Sequence, residues 1–182
     1  VVDILRNVIK NMRNKILDLG GEIHYNSTLT NININNNRVS SIIINDKEKY
    51  ETDTLVLAIG HSARDTFKML NEYLTLTPKA FAVGIRVEHN QDLINKNQYG
   101  ESYKLLPPAD YKLTYQTKNG RGVYSFCMCP GGFVVNSSSE ENKICINGMS
   151  NHNRSEENAN SAIVVTVSPS DYGSNIFDGM ND

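Results

Sequence analysis

Thr54-Leu-Val-Leu-Ala-Ile-Gly60 is a continuous apolar run closed by a glycine. Such a run marks a strand buried on both faces, as parallel strands in α/β sheets are. Ser62, with Asp65 three residues on, resembles a capping box, so the spacing predicts a helix over residues 63–73. At a strand–glycine–helix junction the backbone is bare on one side, and the helix points free N–H groups and its positive end at the same place. Ligands in open α/β sheets bind there, outside the carboxyl ends of the strands. An ordinary strand-to-helix turn with a packing glycine has the same pattern, and the residues alone favour that plainer reading.

The flanking segments set the context. Val2, Leu5, Val8, Ile9, Met12, Ile16 and Leu19 recur at three- and four-residue steps, with Arg6, Lys10, Arg13 and Asn14 on the other face. Residues 2–19 are therefore expected to be an amphipathic helix, with Gly20-Gly21 as its C-cap. Four short strands are expected next, over 22–25, 29–35, 39–44 and 50–52. Asn36-Asn37 and Asn45-Asp46-Lys47 supply turns, since Asn tolerates left-handed backbone angles. Beyond Pro78 the texture becomes β-rich. Strands are expected over 80–88, 111–116, 123–128, 133–136, 143–147 and 161–167, with a short helix over 91–97. Lys118-Asn-Gly-Arg121 is the strongest hairpin signal. The pattern divides into residues 1–76, residues 77–168 and a tail over 169–182 that is expected to be poorly ordered.

The chain has 182 residues, and it opens at Val1 inside an apolar-periodic run, so it is expected to be a piece of something longer. With 18 basic and 20 acidic residues it lacks the positive field of a nucleic-acid binder. No apolar run approaches the roughly 18–20 residues needed to span a bilayer, and no signal peptide is visible. Three Cys do not describe a secreted disulfide framework, so a cytoplasmic location is expected.

Chemistry-bearing residues are few. In Cys127-Met-Cys-Pro-Gly-Gly132 the two thiols are expected to face apart, as neither a metal pair nor a disulfide. Cys129, beside the Pro-Gly-Gly turn, is the better candidate for a reactive thiol, though either Cys also reads as filler. His24, His61, His89 and His152 have no metal-ligand spacing, and no metal site is expected. Arg86 and Arg64 are candidate anion contacts. Residues 148–154 form a polar loop able to line a site. There is no G-x-G-x-x-G, no Walker loop and no G-x-S-x-G.

Taken together, the segments are similar to a known family. Gly20-Gly-Glu-Ile-His-Tyr-Asn-Ser-Thr-Leu-Thr30, the β-meander and the run to Gly60 resemble the middle of an FAD-dependent oxidoreductase with two dinucleotide-binding domains. The strings His61-Ser-Ala-Arg-Asp-Thr66, Ala82-Val-Gly-Ile-Arg-Val-Glu-His89, Leu106-Pro-Pro-Ala-Asp-Tyr-Lys-Leu113, Gly120-Arg-Gly-Val-Tyr-Ser-Phe-Cys-Met-Cys-Pro-Gly-Gly132 and Asn147-Gly-Met-Ser-Asn-His152 are similar to a bacterial family of FAD-dependent, NAD-utilising dehydrogenases. The resemblance implies an α+β or α/β fold: a partial FAD-binding, Rossmann-like segment with its β-meander, then an inserted β-rich substrate domain. It implies that Leu29, Ala58, Ile59, Gly60 and His61 border FAD. It implies that Arg86, Met149, Asn151 and His152 line the substrate, with Cys127 and Cys129 as catalytic candidates. NAD(P)H is the implied electron donor and a small molecule the implied substrate, with neither nucleic acid nor membrane as partner. The family's G-x-G-x-x-G element and C-terminal flavin contact are not in these residues, so the chain is expected to be inactive alone and not to retain FAD. Its unpaired sheet edge is expected to favour a homodimer. A non-catalytic ligand-binding module, or less readily a flavin-dependent tRNA-modifying enzyme, is the alternative.

Overall fold

The computed structural model describes residues 2–173 and 175–177. It is a mixed α+β chain with several antiparallel sheets, and it divides into two units. One is Lys15–Thr77; the other joins Val1–Asn14 to Pro78–Asp182.

Helix α1 (Val2–Asp18) follows the apolar stripe and buries none of its residues. Gly20, at φ +84°, ends it. The Gly21 N–H donates to the Ile16 carbonyl and the Gly20 N–H to the Leu17 carbonyl, both at 2.9 Å. That pair of bonds is a Schellman cap, which requires the left-handed residue that glycine supplies.

In the Lys15–Thr77 unit, β1 (Leu29–Asn35), β2 (Arg38–Ile44) and β3 (Glu48–Glu51) form an antiparallel meander in that order. Asn35 pairs with Arg38 across a two-residue turn whose Asn36 and Asn37 lie at φ +49° and +59°. Both angles positive is the primed turn that matches strand twist. Ile32 and Ser41 are buried, and Asn33 Nδ2 donates to Ser41 Oγ at 2.8 Å. Helix α2 (Arg64–Leu70) buries Thr66 and Leu70. Past its end, the Tyr73 hydroxyl donates to Asn31 Oδ1 at 2.6 Å.

Three expectations fail in this unit. Residues 22–25 and 54–60 form no strand, and Val56 is 83% exposed. A two-face-buried strand needs neighbours on both edges, and no strand among the described residues pairs with 54–60. Ala63 rather than Ser62 occupies the N-cap of α2, without a side-chain cap.

The other unit holds β4 (Phe81–Asn90), α3 (Gln91–Tyr99), a 3-10 helix (Gly100–Leu105), β5 (Thr114–Gln116), β6 (Gly122–Cys129), β7 (Gly132–Asn136), β8 (Ile146–Ser150), β9 (Asn158–Val167) and α4 (Pro169–Tyr172). One antiparallel sheet runs β4-β9-β6-β5, and β7 pairs with β8. The β4–β9 register is unbroken from Phe81 opposite Val167 to Asn90 opposite Asn158. The Asn90 side chain caps α3 by accepting from the Leu93 N–H. Residues 117–121 turn between β5 and β6 with Gly120 at φ +82°. The strand expected over 143–147 lies at Ile146–Ser150, so the first half of the expected polar loop is sheet. Within the expected tail, Pro169–Tyr172 is a helical turn with a Ser168–Asp171 capping box. Ser174 and residues 178–182 of that tail lie outside the described residues.

Candidate functional site

Strand alternation decides which side chains meet on the β4–β9 pair. Arg86 lies opposite Ala162 and Glu88 opposite Asn160, so Arg86 and Asn160 are diagonal neighbours on one face. Arg86 Nη1 donates to Asn160 Oδ1 at 2.7 Å and to the Cys127 carbonyl at 3.2 Å; Nη2 donates to Asn147 Oδ1 at 3.4 Å.

The Cys127 carbonyl is available because β6 bulges. Phe126 faces Ala162 while Cys129 faces Asn160, and Cys127 takes φ +47°. Residues two apart on a regular strand share a face. The opposed thiols expected from the sequence therefore do not follow from strand alternation, and it is the bulge that makes the two cysteines unlike. Cys127 is exposed, Cys129 is half-buried, and both thiols are free. Burial pushes the Cys129 thiol up, and the nearby Arg86 charge partly opposes it. The thiol thus keeps its proton at neutral pH.

Gly148 on β8 closes the cluster. A Cβ there would lie 2.0 Å from Asn160 Oδ1, 2.3 Å from Arg86 Nη1 and 3.0 Å from Cys129 Sγ. The Pro-Gly-Gly turn is held from below by buried Gln91. Its Oε1 accepts from the Gly131 N–H at 2.7 Å, and its Nε2 donates to Asn95 Oδ1 and the Ala109 carbonyl. These glycines serve close backbone packing: a Cβ on Gly131 would sit 1.9 Å from the Arg154 carbonyl oxygen.

The structure thus brings Arg86, Cys129 and the Cys127 carbonyl together. Met149 is half-buried on β8, where alternation sets it on the opposite face from Gly148. Asn151 is half-buried beyond the strand, and His152 is exposed with its backbone N–H on the Asp3 carboxylate at 3.2 Å. The cofactor candidates belong to the Lys15–Thr77 unit. Leu29 opens β1 opposite Ile44, Ala58 and His61 are exposed, and Ile59 is half-buried. Gly60 sits at φ +73° with nothing within 4 Å of where a Cβ would be. That bare, open backbone fits the close approach of a bulky cofactor. No group of three His, Cys, Asp or Glu among the described residues has a metal-binding arrangement.

Asn160 is the functional candidate that sequence reasoning misses. It is wholly buried, yet in a chain crowded with Asn nothing singles it out. The signal present is its place in Asn158-Ala-Asn-Ser161, a polar start to a strand that is otherwise β-branched and apolar.

Residues 80–181 match the family model for the C-terminal domain-like part of FAD-dependent proteins. The chain is 53% identical, over 98% of its length, to an uncharacterised protein of Clostridium beijerinckii. It spans about a third (34%) of that protein's own length. No helix among the described residues is long and apolar enough to cross a membrane. With more than half of its length matched, the chain belongs to the family of FAD-dependent proteins with this C-terminal domain-like region.

Proposed function

We propose that the chain is part of an FAD-dependent oxidoreductase, a dehydrogenase in which residues 77–168 bind the substrate. The match of residues 80–181 to an FAD-dependent family carries this reading. When bound, the flavin supplies hydride chemistry, with NAD(P)H as electron donor. The chain's own residues do the rest. The backbone of Leu29 and of 58–60 borders the cofactor, and His61 faces its edge. The open φ +73° glycine at position 60 supports that assignment. Arg86 fixes an acceptor on the substrate, and Cys129 Sγ, which holds its proton, sits beside it. Cys127 is the more solvent-exposed catalytic candidate.

The test uses a chain as long as the Clostridium beijerinckii relative. It is expected to purify with flavin absorbance, and a colourless protein would remove the oxidoreductase reading in favour of a non-catalytic binding module. Cys127→Ser and Cys129→Ser are each expected to slow flavin reduction or reoxidation by at least tenfold, where the full loss of an acid–base group costs about 100–10,000-fold. Unchanged rates would remove the cysteines from the chemistry. The 182-residue chain alone is expected to be colourless, because it has no G-x-G-x-x-G cradle to offset the freedom a bound dinucleotide loses.

A further inference from the structure

The Arg86 cluster holds a cation with no ion pair: Glu88, the carboxylate on the same face of β4 and opposite Asn160, accepts instead from Asn158 Nδ2 at 3.2 Å. Arginine stays cationic in proteins, and the groups that Arg86 reaches, Asn160 Oδ1, Asn147 Oδ1, the Cys127 carbonyl and the Cys129 thiol, are all neutral. Among the described residues no carboxylate lies within ion-pair distance of it. Two donors in the same pair are also unspent. Arg86 Nε and Asn160 Nδ2 are buried without a hydrogen-bond partner, and Asn160 is 0% exposed. An unsatisfied buried donor is destabilising, and here one belongs to the cation itself and the other to the side chain that it touches. Each deficit calls for the same thing: a negative group with more than one acceptor oxygen. Arg86 and Cys129 are only half-buried, so the cluster borders solvent.

We propose that Arg86 and Asn160 bind the carboxylate of a small organic acid beside the Cys129 thiol. A carboxylate brings one negative charge to one positive charge and two oxygens to the guanidinium edge and the amide. A phosphate dianion would bring two negative charges to a half-buried site in which Arg86 is the cation that the hydrogen bonds show, which is costly. That this acid is the substrate rests on the oxidoreductase reading; its binding here does not.

Cys129 is the reporter. In the 182-residue chain carrying Cys127→Ser and Cys145→Ser it is the single thiol, and iodoacetamide reacts with its thiolate form. Arg86 favours that thiolate. A carboxylate on Arg86 cancels the effect and covers the sulfur. Saturating acetate is expected to slow alkylation by about tenfold, as for a one-unit rise in thiol pKa. Acetamide, and chloride at equal ionic strength, are expected to leave the rate unchanged, and phosphate is expected to protect less than acetate. Arg86→Met is expected to alkylate slowly and to ignore acetate. Equal protection by acetate and acetamide, stronger protection by phosphate, or full acetate protection in Arg86→Met would overturn the proposal. The acetate–acetamide comparison needs no change at Arg86. It also needs no flavin, so a colourless long chain with acetate-protected Cys129 removes the substrate role and leaves the acid site standing.

Discussion

Two glycines with similar backbone angles separate two reasons for being glycine. Gly60 lies at φ +73° in open space, and Gly131 at φ +45° against the Arg154 carbonyl. Replacing Gly60 by Ala meets the left-handed conformation alone, which costs an L-residue about 1–2 kcal/mol. Gly131→Ala meets the same strain plus a backbone oxygen that a Cβ cannot approach. Relief there means moving the segment that Gln91 ties through the Gly131 N–H. Gly131→Ala is therefore expected to destabilise by about 3 kcal/mol or more, and Gly60→Ala by about half of that or less. Urea denaturation of the two variants measures both, and equal losses would refute the distinction. In sequence the two look alike, each a glycine beside a chemistry-bearing string. Only the approach of Arg154, distant along the chain, tells them apart.

Among the elements, local chemistry was the legible part. The Asn36-Asn37 turn, the Gly20-Gly21 cap and the β5–β6 hairpin each follow from residues within a few positions of one another. The elements that depend on partners were not legible. Residues 54–60 have the composition of a buried strand but no neighbour among the described residues, and β8 lies three residues later than alternation suggests because Gly132 and Ser150 register it. Helix α4 shows the same dependence. A polar tail by composition, it is fixed by Arg121, whose guanidinium donates to the Asp171 carboxylate at 2.6 and 2.9 Å while the Ser168 N–H donates at 2.7 Å. The Arg121 hydrogen bonds, and then those from Ser168, hold the Asp171 carboxyl well below the usual carboxylate range. A folded-state value below the unfolded one adds stability at every pH above the unfolded value, about 4, and the gain disappears as pH falls below it. The melting difference between the parent chain and Asp171→Asn is thus expected to be constant near neutral pH and to shrink on acidification below about pH 4. A difference that widened in acid would contradict this origin.

At the scale of the whole molecule the balance of buried and exposed apolar surface governs behaviour. Among the described residues the buried apolar side chains are Ile32, Leu70, Ala109, Pro130 and Ala159. Ordering a residue costs about 1.5 kcal/mol, which only extensive apolar burial offsets. Meanwhile Phe81, Val83, Ile85 and Val87 alternate onto one face of β4, all exposed, with Ile85 at 69%. In register beside them on β9 stand Val167, Val165 and Ile163. A contiguous apolar face of this kind is unusual on a soluble monomer, and an unpaired apolar segment such as 54–60 adds a second adhesive element. The 182-residue chain is expected to bind a hydrophobic dye and to scatter light as a dimer or larger species at high concentration. Two substitutions identify the surface responsible. If the sheet face drives association, Ile85→Lys lowers both dye binding and mass while Val56→Lys leaves them unchanged; if the 54–60 segment does, the pattern reverses. A clean monomer without dye binding would mean that these surfaces do not attract, and neither substitution would then alter the chain's solution behaviour.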